Sequence, residues 1–424
     1  MLAMIRSIPL IIFILVSRPG FGQPEPPPAL DALISETLER NLALQAADHR
    51  WTASKHRRPQ VTTLDDPIFS YTRWLSSPET RVGPQTNVLM LSQRIPYPGK
   101  RGLRGDMADQ KAVAFEAQRR STERDIVFQV KQTYYDLYRV DQSIRVLTEY
   151  LAVLRTFTRV AEEKYATGTG NQASVLKSQV ERSRILERQL VIERTRPGLV
   201  ARINALRNRA MSTQIGRIAA IDSARYTTPE SLIVKQALLA RQELQEIDAR
   251  IRQSELMTSL ARLAFRPDFN LQASYITVPK QSSLISDAGK DAFSIMVGLN
   301  IPIMRGKRRA AVEEAKVTRM GHEMTRDHLR NTIRAEITEV YLKIQQTGTL
   351  LDLYEQGMLL QAESSLSSAL AGYRTGNLDF LNLLDAERML LQIRLGYINE
   401  QANYRRQVTT LEWAAGGRLP EGMQ

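Results

Sequence analysis

The residues of this 424-residue chain that could carry chemistry are few. It has four histidines and no cysteine, so disulfides, thiolate metal sites and a cysteine nucleophile are excluded. His322 and His328 are six residues apart, which on a helix places them on different faces. We therefore expect these two histidines, like His49 and His56, to be scattered surface residues. No serine–histidine–aspartate grouping or phosphate-binding loop is recognisable. We predict a protein that is not an enzyme and that uses no cofactor or metal.

Basic side chains cluster at two equivalent places, each directly after a segment of alternating polarity. The members are Lys100, Arg101 and Arg104 in the first cluster and Arg305, Lys307, Arg308 and Arg309 in the second. Cations at the start of a helix oppose its dipole, which favours contact with anionic lipid headgroups over simple solvation. The net charge of +13 would also suit nucleic acid. Because acids are interleaved with the basic residues and no recognition motif appears, we predict no nucleic-acid partner.

These residues lie in a sequence that contains an internal duplication. Residues of the first half recur 206–208 positions later with the same spacing. The matched pairs are Ile95-Pro96 with Ile301-Pro302, Lys100-Arg101 with Lys307-Arg308, Tyr134 with Tyr341, Gly168 with Gly376, and Leu176 with Leu384. A period this long exceeds the units of about 20–50 residues in solenoids. It indicates one supersecondary module that has been copied once.

Each copy is predicted to contain a helix, two strands and a long helical hairpin. The first structural repeat spans 30–225 and the second 230–417. Apolar residues recur at every third or fourth position through very long proline-free stretches, and each hairpin turns at a glycine, near 168 and near 376. Gly321 and Gly348 argue against an unbroken helix in the second hairpin, and Pro197 predicts a break or kink in the first.

The four predicted strands cover about 66–74, 87–95, 268–277 and 293–301. Their length and alternation suit transmembrane β-strands, which need about 9–11 residues with one apolar and one polar face. The alternative is two half-buried hairpins of a soluble sheet. Four strands are too few to close a barrel in a membrane, where the smallest barrels have eight. If they cross a bilayer, several chains must contribute to one barrel.

The N-terminus predicts a secretory signal peptide over residues 1–22. Arg6 supplies the positive region, residues 8–16 form a short apolar core, and Gly20 and Gly22 offer small residues near a cleavage site. Nine apolar residues are too few to span a bilayer as a helix, which needs about 20.

The signal peptide, the duplicated module and the Tyr-x-x-Gly turn with a leucine eight residues later resemble the TolC-type outer membrane efflux proteins. The resemblance covers about Leu30 to Gly417, and the string Ser92–Lys100 is similar to the family's strand-to-helix junction, commonest in exporters of heavy metals or other cations. It implies a mainly α protein with a small β part that forms a homotrimer. A twelve-stranded outer-membrane β-barrel would continue into a twelve-helix periplasmic α-barrel. The partners would be outer-membrane lipid, a periplasmic adaptor (membrane fusion) protein and an inner-membrane pump, for which the RND type is one candidate.

The resemblance also implies roles for particular residues. Gly168 and Gly376 would lie at the periplasmic tip where adaptors dock, although each glycine could simply end a helix. Carboxylates six and nine residues beyond the second turn narrow the pore in relatives, and these positions are Asn382 and Asp385 here. Asn382 departs from the acidic pattern, and Asp385 could instead be a solvated helix residue. The nearby Asp379 could compensate for Asn382, or could merely favour the helix N-terminus.

Two other classes of protein remain as alternatives. A periplasmic adaptor also carries a long helical hairpin, but it normally has one hairpin flanked by β-rich segments. A soluble coiled-coil scaffold would need neither the alternating strands nor the signal peptide.

Overall fold

The computed structural model describes residues 29–280 and 286–419, so the predicted signal peptide lies outside the described residues. The first half begins with α1 (Leu30–Arg40), α2 (Leu42–Lys55), α3 (Arg57–Thr62), β1 (Ile68–Arg73), β2 (Glu79–Thr80), β3 (Gly83–Pro84) and β4 (Asn87–Ile95). It continues through the helical hairpin α4 (Lys100–Ala166) and α5 (Gln172–Leu206).

The second half has a similar order of elements, without counterparts of α3, β2 and β3 among the described residues. It comprises α6 (Glu230–Ala240), α7 (Gln242–Leu263), β5 (Phe269–Thr277), β6 (Ala292–Leu299), α8 (Arg305–Leu353), a π-helical segment (Tyr354–Met358), α9 (Leu359–Arg374) and α10 (Phe380–Ala414). The observed strands β4 and β5 nearly coincide with the prediction, whereas β1 and β6 are shorter than predicted.

The four longer strands form one antiparallel sheet in the order β1-β4-β5-β6. Strands β4 and β5 join the two repeats, with Asn87 opposite Thr277 and Ile95 opposite Phe269. Because side chains alternate across a sheet, the register places whole rows on one face. One face carries Phe69, Tyr71, Leu89, Leu91, Leu271, Tyr275, Phe293, Ile295 and Val297. The opposite face is more mixed. It carries Ser70, Thr72, Ser92, Asn270, Gln272, Ser274 and Ser294 together with the apolar Ile68, Val88, Met90, Ile276 and Met296.

The long helices are unbroken at the three residues that argued against continuity. Helix α5 continues through Pro197, where the alternative of a kink stays a prediction, and α8 continues through Gly321 and Gly348. An exposed helical glycine costs only about 1 kcal/mol relative to alanine, which packing along a helix of 49 residues can offset. The second rod is interrupted elsewhere, at the π-helical segment Tyr354–Met358.

The core follows the helix pairs rather than forming one compact centre. Helix α10 packs against α4, α8 and α9, whereas α5 packs chiefly against α4. Leu383 and Leu384 of α10 are almost completely buried and belong to the same apolar cluster as α4 residues such as Leu147 and Leu154. A second cluster joins α8 to α6 and α7 through Ile333, Ile337 and Ile233. At about 1.5 Å per residue, the 67 residues of α4 make a rod about 100 Å long.

Among the helices of 29–280 and 286–419, none combines the length and the apolar character needed to cross a membrane.

Candidate functional site

Both helical hairpins turn through the same backbone motif. Gly168 has φ +75° and Gly376 has φ +78°, in the left-handed region that favours glycine. Thr169 N donates to Lys164 O over 2.9 Å in the first turn, and Asn377 N donates to Gly372 O over 2.9 Å in the second. These are the bonds of a Schellman motif, which satisfies the last carbonyls of a helix. The glycines therefore have a structural role of their own, whatever else they contact.

The returning helices are capped by side chains. The Asn171 side chain accepts a hydrogen bond from Ser174 N at the start of α5, and the Asp379 carboxylate accepts one from Asn382 N at the start of α10. Asp379 is thus the N-cap of α10, as its charge at a helix N-terminus favours. Its carboxylate is therefore engaged in capping the helix that follows the turn.

The two tips lie side by side and contact each other. The Lys164 ammonium lies 4.0 Å from the centre of the Tyr373 ring, a cation–π contact between the hairpins. Tyr373 also packs edge-on against Phe380, with ring centres 5.9 Å apart. A groove of about 230 Å³ runs between the tips and is lined by residues of both, including Thr169, Lys177, Gly376 and Leu381.

Asp385 lies near the tip and is exposed. Its side chain has 70% of its surface accessible, and its Oδ1 is 3.1 Å from Nη1 of Arg388. Asn382, one turn nearer the tip, is also exposed. Both residues are therefore accessible on the surface of the protomer, and Asp385 has Arg388 as a neighbouring cation.

Arg388 connects the two hairpins. Its Nη2 lies 2.5 Å from Oε2 of Glu181 on α5, whose side chain is only 6% exposed. Glu387 is also buried on α10; burial raises its pKa, and nearby Arg394 lowers it less. Glu181 and Arg388 are 207 positions apart, so no spacing rule could have paired them.

At the other end of the rods, Lys100 contradicts its predicted role in lipid contact. Its ammonium is 2.7 Å from Oδ1 of Asp268, with side-chain exposures of 9% and 11%. Asp268 also accepts hydrogen bonds from Tyr97 N and from Arg94. Burial alone would raise the pKa of Asp268, but these donors lower it to about 2. Lys100 is a buried structural partner because the chain folds the start of β5 onto it.

The other predicted headgroup contacts are more accessible. Arg104, Arg305, Lys307 and Arg309 are exposed. Arg101 donates to Thr62 O and Arg308 donates to Ala264 O, so each of these two is partly held against a neighbouring helix. The histidines are separate from these clusters, and in the part of the chain that the structure describes no three His, Asp or Glu side chains converge as metal ligands.

The family described as Outer membrane efflux protein matches residues 33–190 and 233–417, one match in each repeat. The cation efflux system protein CusC of Escherichia coli O157:H7 is 24% identical over 407 residues, covering 91% of this chain and 85% of CusC. The toluene efflux pump outer membrane protein TtgI of Pseudomonas putida is 24% identical over 413 residues, covering 92% and 85%.

The fold is also similar to solved structures. The outer membrane protein VceC of Vibrio cholerae superposes with a TM-score of 0.75 at 20% identity, over 92% of this chain and 96% of VceC. The match to the family model in both repeats shows that the chain belongs to the outer membrane efflux protein family.

Proposed function

We propose that this protein is the exit duct of a tripartite export system, a passive channel in the outer membrane that extends into the periplasm. The observation that carries the proposal is the four-stranded sheet, which has one largely apolar face and stands at one end of rods about 100 Å long. An apolar outer face and a polar inner face are what a membrane barrel requires.

The assembly follows from the edges of this sheet. In residues 29–280 and 286–419, β1 and β6 each pair with a neighbour on one side only. An unpaired edge in lipid leaves backbone groups unsatisfied at several kcal/mol each. Copies of the chain would close it edge to edge, and three copies of four strands would give twelve strands and twelve long helices. We therefore propose a homotrimer with a twelve-stranded barrel above a helical tunnel.

The basic clusters fit this orientation. Where the strands return to helix, Arg104, Arg305, Lys307 and Arg309 would lie at the level of the inner-leaflet headgroups, with Arg101 and Arg308 beside them. Each cation near an anionic surface contributes about 1 kcal/mol. Lys100 is left out of this set because Asp268 already neutralises it.

The hairpin tips would lie at the periplasmic end. We propose that a periplasmic adaptor docks there, around Gly168 and Gly376, and connects the duct to an inner-membrane pump of the RND type. The groove between the tips offers backbone, apolar and charged groups to such a partner.

Asn382 and Asp385 would form the constriction of the periplasmic gate. Three copies of Asp385 brought close together make a ring that attracts cations. Asp385→Ala should enlarge the single-channel conductance or weaken block by multivalent cations in planar bilayers. An unchanged channel would remove Asp385 from the gate.

Two classes of exported compound are candidates for the cargo. One relative carries the name of a cation efflux protein and another that of a toluene efflux protein, both at 24% identity. Deleting the gene and measuring which toxic compounds accumulate, metal cations or organic solvents, distinguishes the two.

The test of the duct itself is biochemical. Cell fractionation should place the protein in the outer membrane, detergent should be needed to extract it, and the extracted species should have three times the mass of the chain. Reconstituted protein should conduct ions. A monomer that is soluble without detergent would instead favour a coiled-coil scaffold or an adaptor.

A further inference from the structure

We propose that Arg388 sets the charge, and thereby the ion selectivity, of the constriction at Asp385. This inference rests on the proposed channel function and concerns a residue outside the predicted gate. Arg388 would act through its position beside Asp385, and the buried Glu181 of the other hairpin would hold it there.

The geometry is a chain of three charged groups. Nη1 of Arg388 lies 3.1 Å from Asp385, and Nη2 lies 2.5 Å from Glu181. The exposure falls along this chain, from 70% at Asp385 through 35% at Arg388 to 6% at Glu181. The guanidinium thus has one side toward solvent and the other inside the contact between α10 and α5.

Burial makes Glu181 the stronger anchor of the two carboxylates. An ionised carboxylate removed from water needs a paired cation, whereas an exposed pair is worth only about 0–1 kcal/mol because water competes for it. Asp385 and Glu181 share the guanidinium of Arg388, so Asp385 does not have this cation to itself. Asp385 is therefore only partly neutralised, by a cation whose position is determined by Glu181.

This arrangement predicts opposite effects for the two halves of one ion pair. Removing Arg388 leaves Asp385 without its neighbouring cation, so cations should be favoured more strongly. Removing the charge of Glu181 leaves Asp385 as the carboxylate that pairs with Arg388. Asp385 is then neutralised more fully, so the preference of the channel for cations should fall. The alternative is that the Arg388–Glu181 pair only holds the two hairpins together. In that case, loss of either partner would change the ion selectivity in the same direction or not at all.

A second cation near Glu181, Arg184, should allow a variant without Arg388 to fold. Nη1 of Arg184 lies 3.8 Å from Oε2 of Glu181, on an otherwise exposed side chain. When Arg388 is replaced, Arg184 can still serve the buried carboxylate. We therefore expect Arg388→Gln to assemble.

The experiment measures reversal potentials of the reconstituted full-length protein across a KCl gradient. Arg388→Gln should raise the ratio of cation to anion permeability by about two- to fivefold, the size expected for one charge acting over a few ångströms in a water-like medium. Glu181→Gln should lower the ratio toward unity. Adding Asp385→Asn to Arg388→Gln should abolish the increase.

The matched control is Arg394→Gln. Arg394 lies on the same helix and pairs with Glu363 of α9 at 3.1 Å, within the second hairpin. The Arg394→Gln variant removes the same charge but keeps the Arg388–Asp385 pair. Its effect on the ratio of cation to anion permeability should therefore be clearly smaller. Arg388→Lys, which keeps the charge, should stay near the selectivity of the unmodified channel.

The outcomes separate the two proposals. An unmodified protein that conducts no ions would refute the channel function. A conducting protein in which Arg388→Gln and Glu181→Gln shift selectivity in the same direction, or leave it unchanged, would refute the role of Arg388 alone. If Arg388→Gln fails to assemble, the comparison of Arg388→Lys with Glu181→Gln decides, since only the latter should change selectivity.

Discussion

The two copies of the module use equivalent residues in different ways. Lys100 and Lys307 occupy the same place in the repeat, but Lys100 is buried against Asp268 and Lys307 is exposed. The returning helices differ as well. Helix α10 buries its apolar face against three helices, whereas α5 leaves Val180 at 60% and Leu190 at 57% exposure.

The difference teaches that position in the sheet and bundle, not the repeated sequence, sets each residue's environment. The first junction lies against the start of β5, because β4 pairs with β5. The second junction also borders the start of β5, where Asn300 N donates to Asp268 O over 3.1 Å. It follows the edge strand β6, however, and its lysine, Lys307, is exposed. The apolar residues that α5 exposes are, on the proposed trimer, surface for another copy to cover.

The largest expected effect separates the two equivalent lysines. Lys100→Ala leaves the Asp268 carboxylate buried without its closest cation, and breaking a buried pair in this way costs about 3–5 kcal/mol. Lys307→Ala, the matched control, should change stability by no more than about 0.5 kcal/mol. The thermal midpoint of the protein in detergent measures both. Equal effects would show that the two junctions are equivalent after all.

The returning helices can be compared through two leucines. Leu383→Ala on α10 removes a completely buried side chain and should cost about 2–5 kcal/mol. Leu190→Ala on α5 should have little effect on the folded protomer but should weaken association of the copies. Thermal unfolding reports the first effect, and light scattering of diluted samples reports the second. A large loss of thermal stability in Leu190→Ala without dissociation would contradict the comparison.

The buried carboxyl of Glu387 on α10 should make the stability of the protein depend on pH. Burial raises the pKa of this group from its ordinary value of 4.5. A carboxyl with a raised pKa in the fold contributes most at pH below 4.5, and this contribution is lost as the pH rises through the folded pKa. Glu387→Gln should therefore raise the thermal midpoint at pH 8 more than at pH 4. An increase that is the same at both pH values would show that the charge of Glu387 is not the cause.

The smallest effect concerns the glycines of the second hairpin. A Cβ at Gly321 would meet no atom within 4 Å, so Gly321→Ala should stabilise the protein by up to about 1 kcal/mol. A Cβ at Gly396, beside the π-helical segment, would lie 2.5 Å from Oη of Tyr354. Gly396→Ala should destabilise the protein, because the tyrosine ring must move. The sign of the shift in the thermal midpoint tests each expectation.

Much of the fold could be predicted because it depends on local pattern. The period-two segments 87–95 and 268–277 became β4 and β5 with nearly the same bounds, and Gly168 and Gly376 end their helices as their left-handed backbone requires. The helices are not broken at Gly321, Gly348 or Pro197, since packing along a long rod outweighs the propensity of one residue. The π-helical segment had no recognised signal in the sequence.

By itself, the sequence determined the repeated module, its helical and strand periods, its hairpin turns and the family to which the chain is similar. These are properties of spacing along the chain, and the backbone obeys them locally. Only the tertiary structure decided that Lys100 is buried on Asp268 and that Arg388 joins Asp385 to Glu181. Such pairs connect positions 168 and 207 residues apart, and their energy comes from burial, which exists only once the helices and strands have packed.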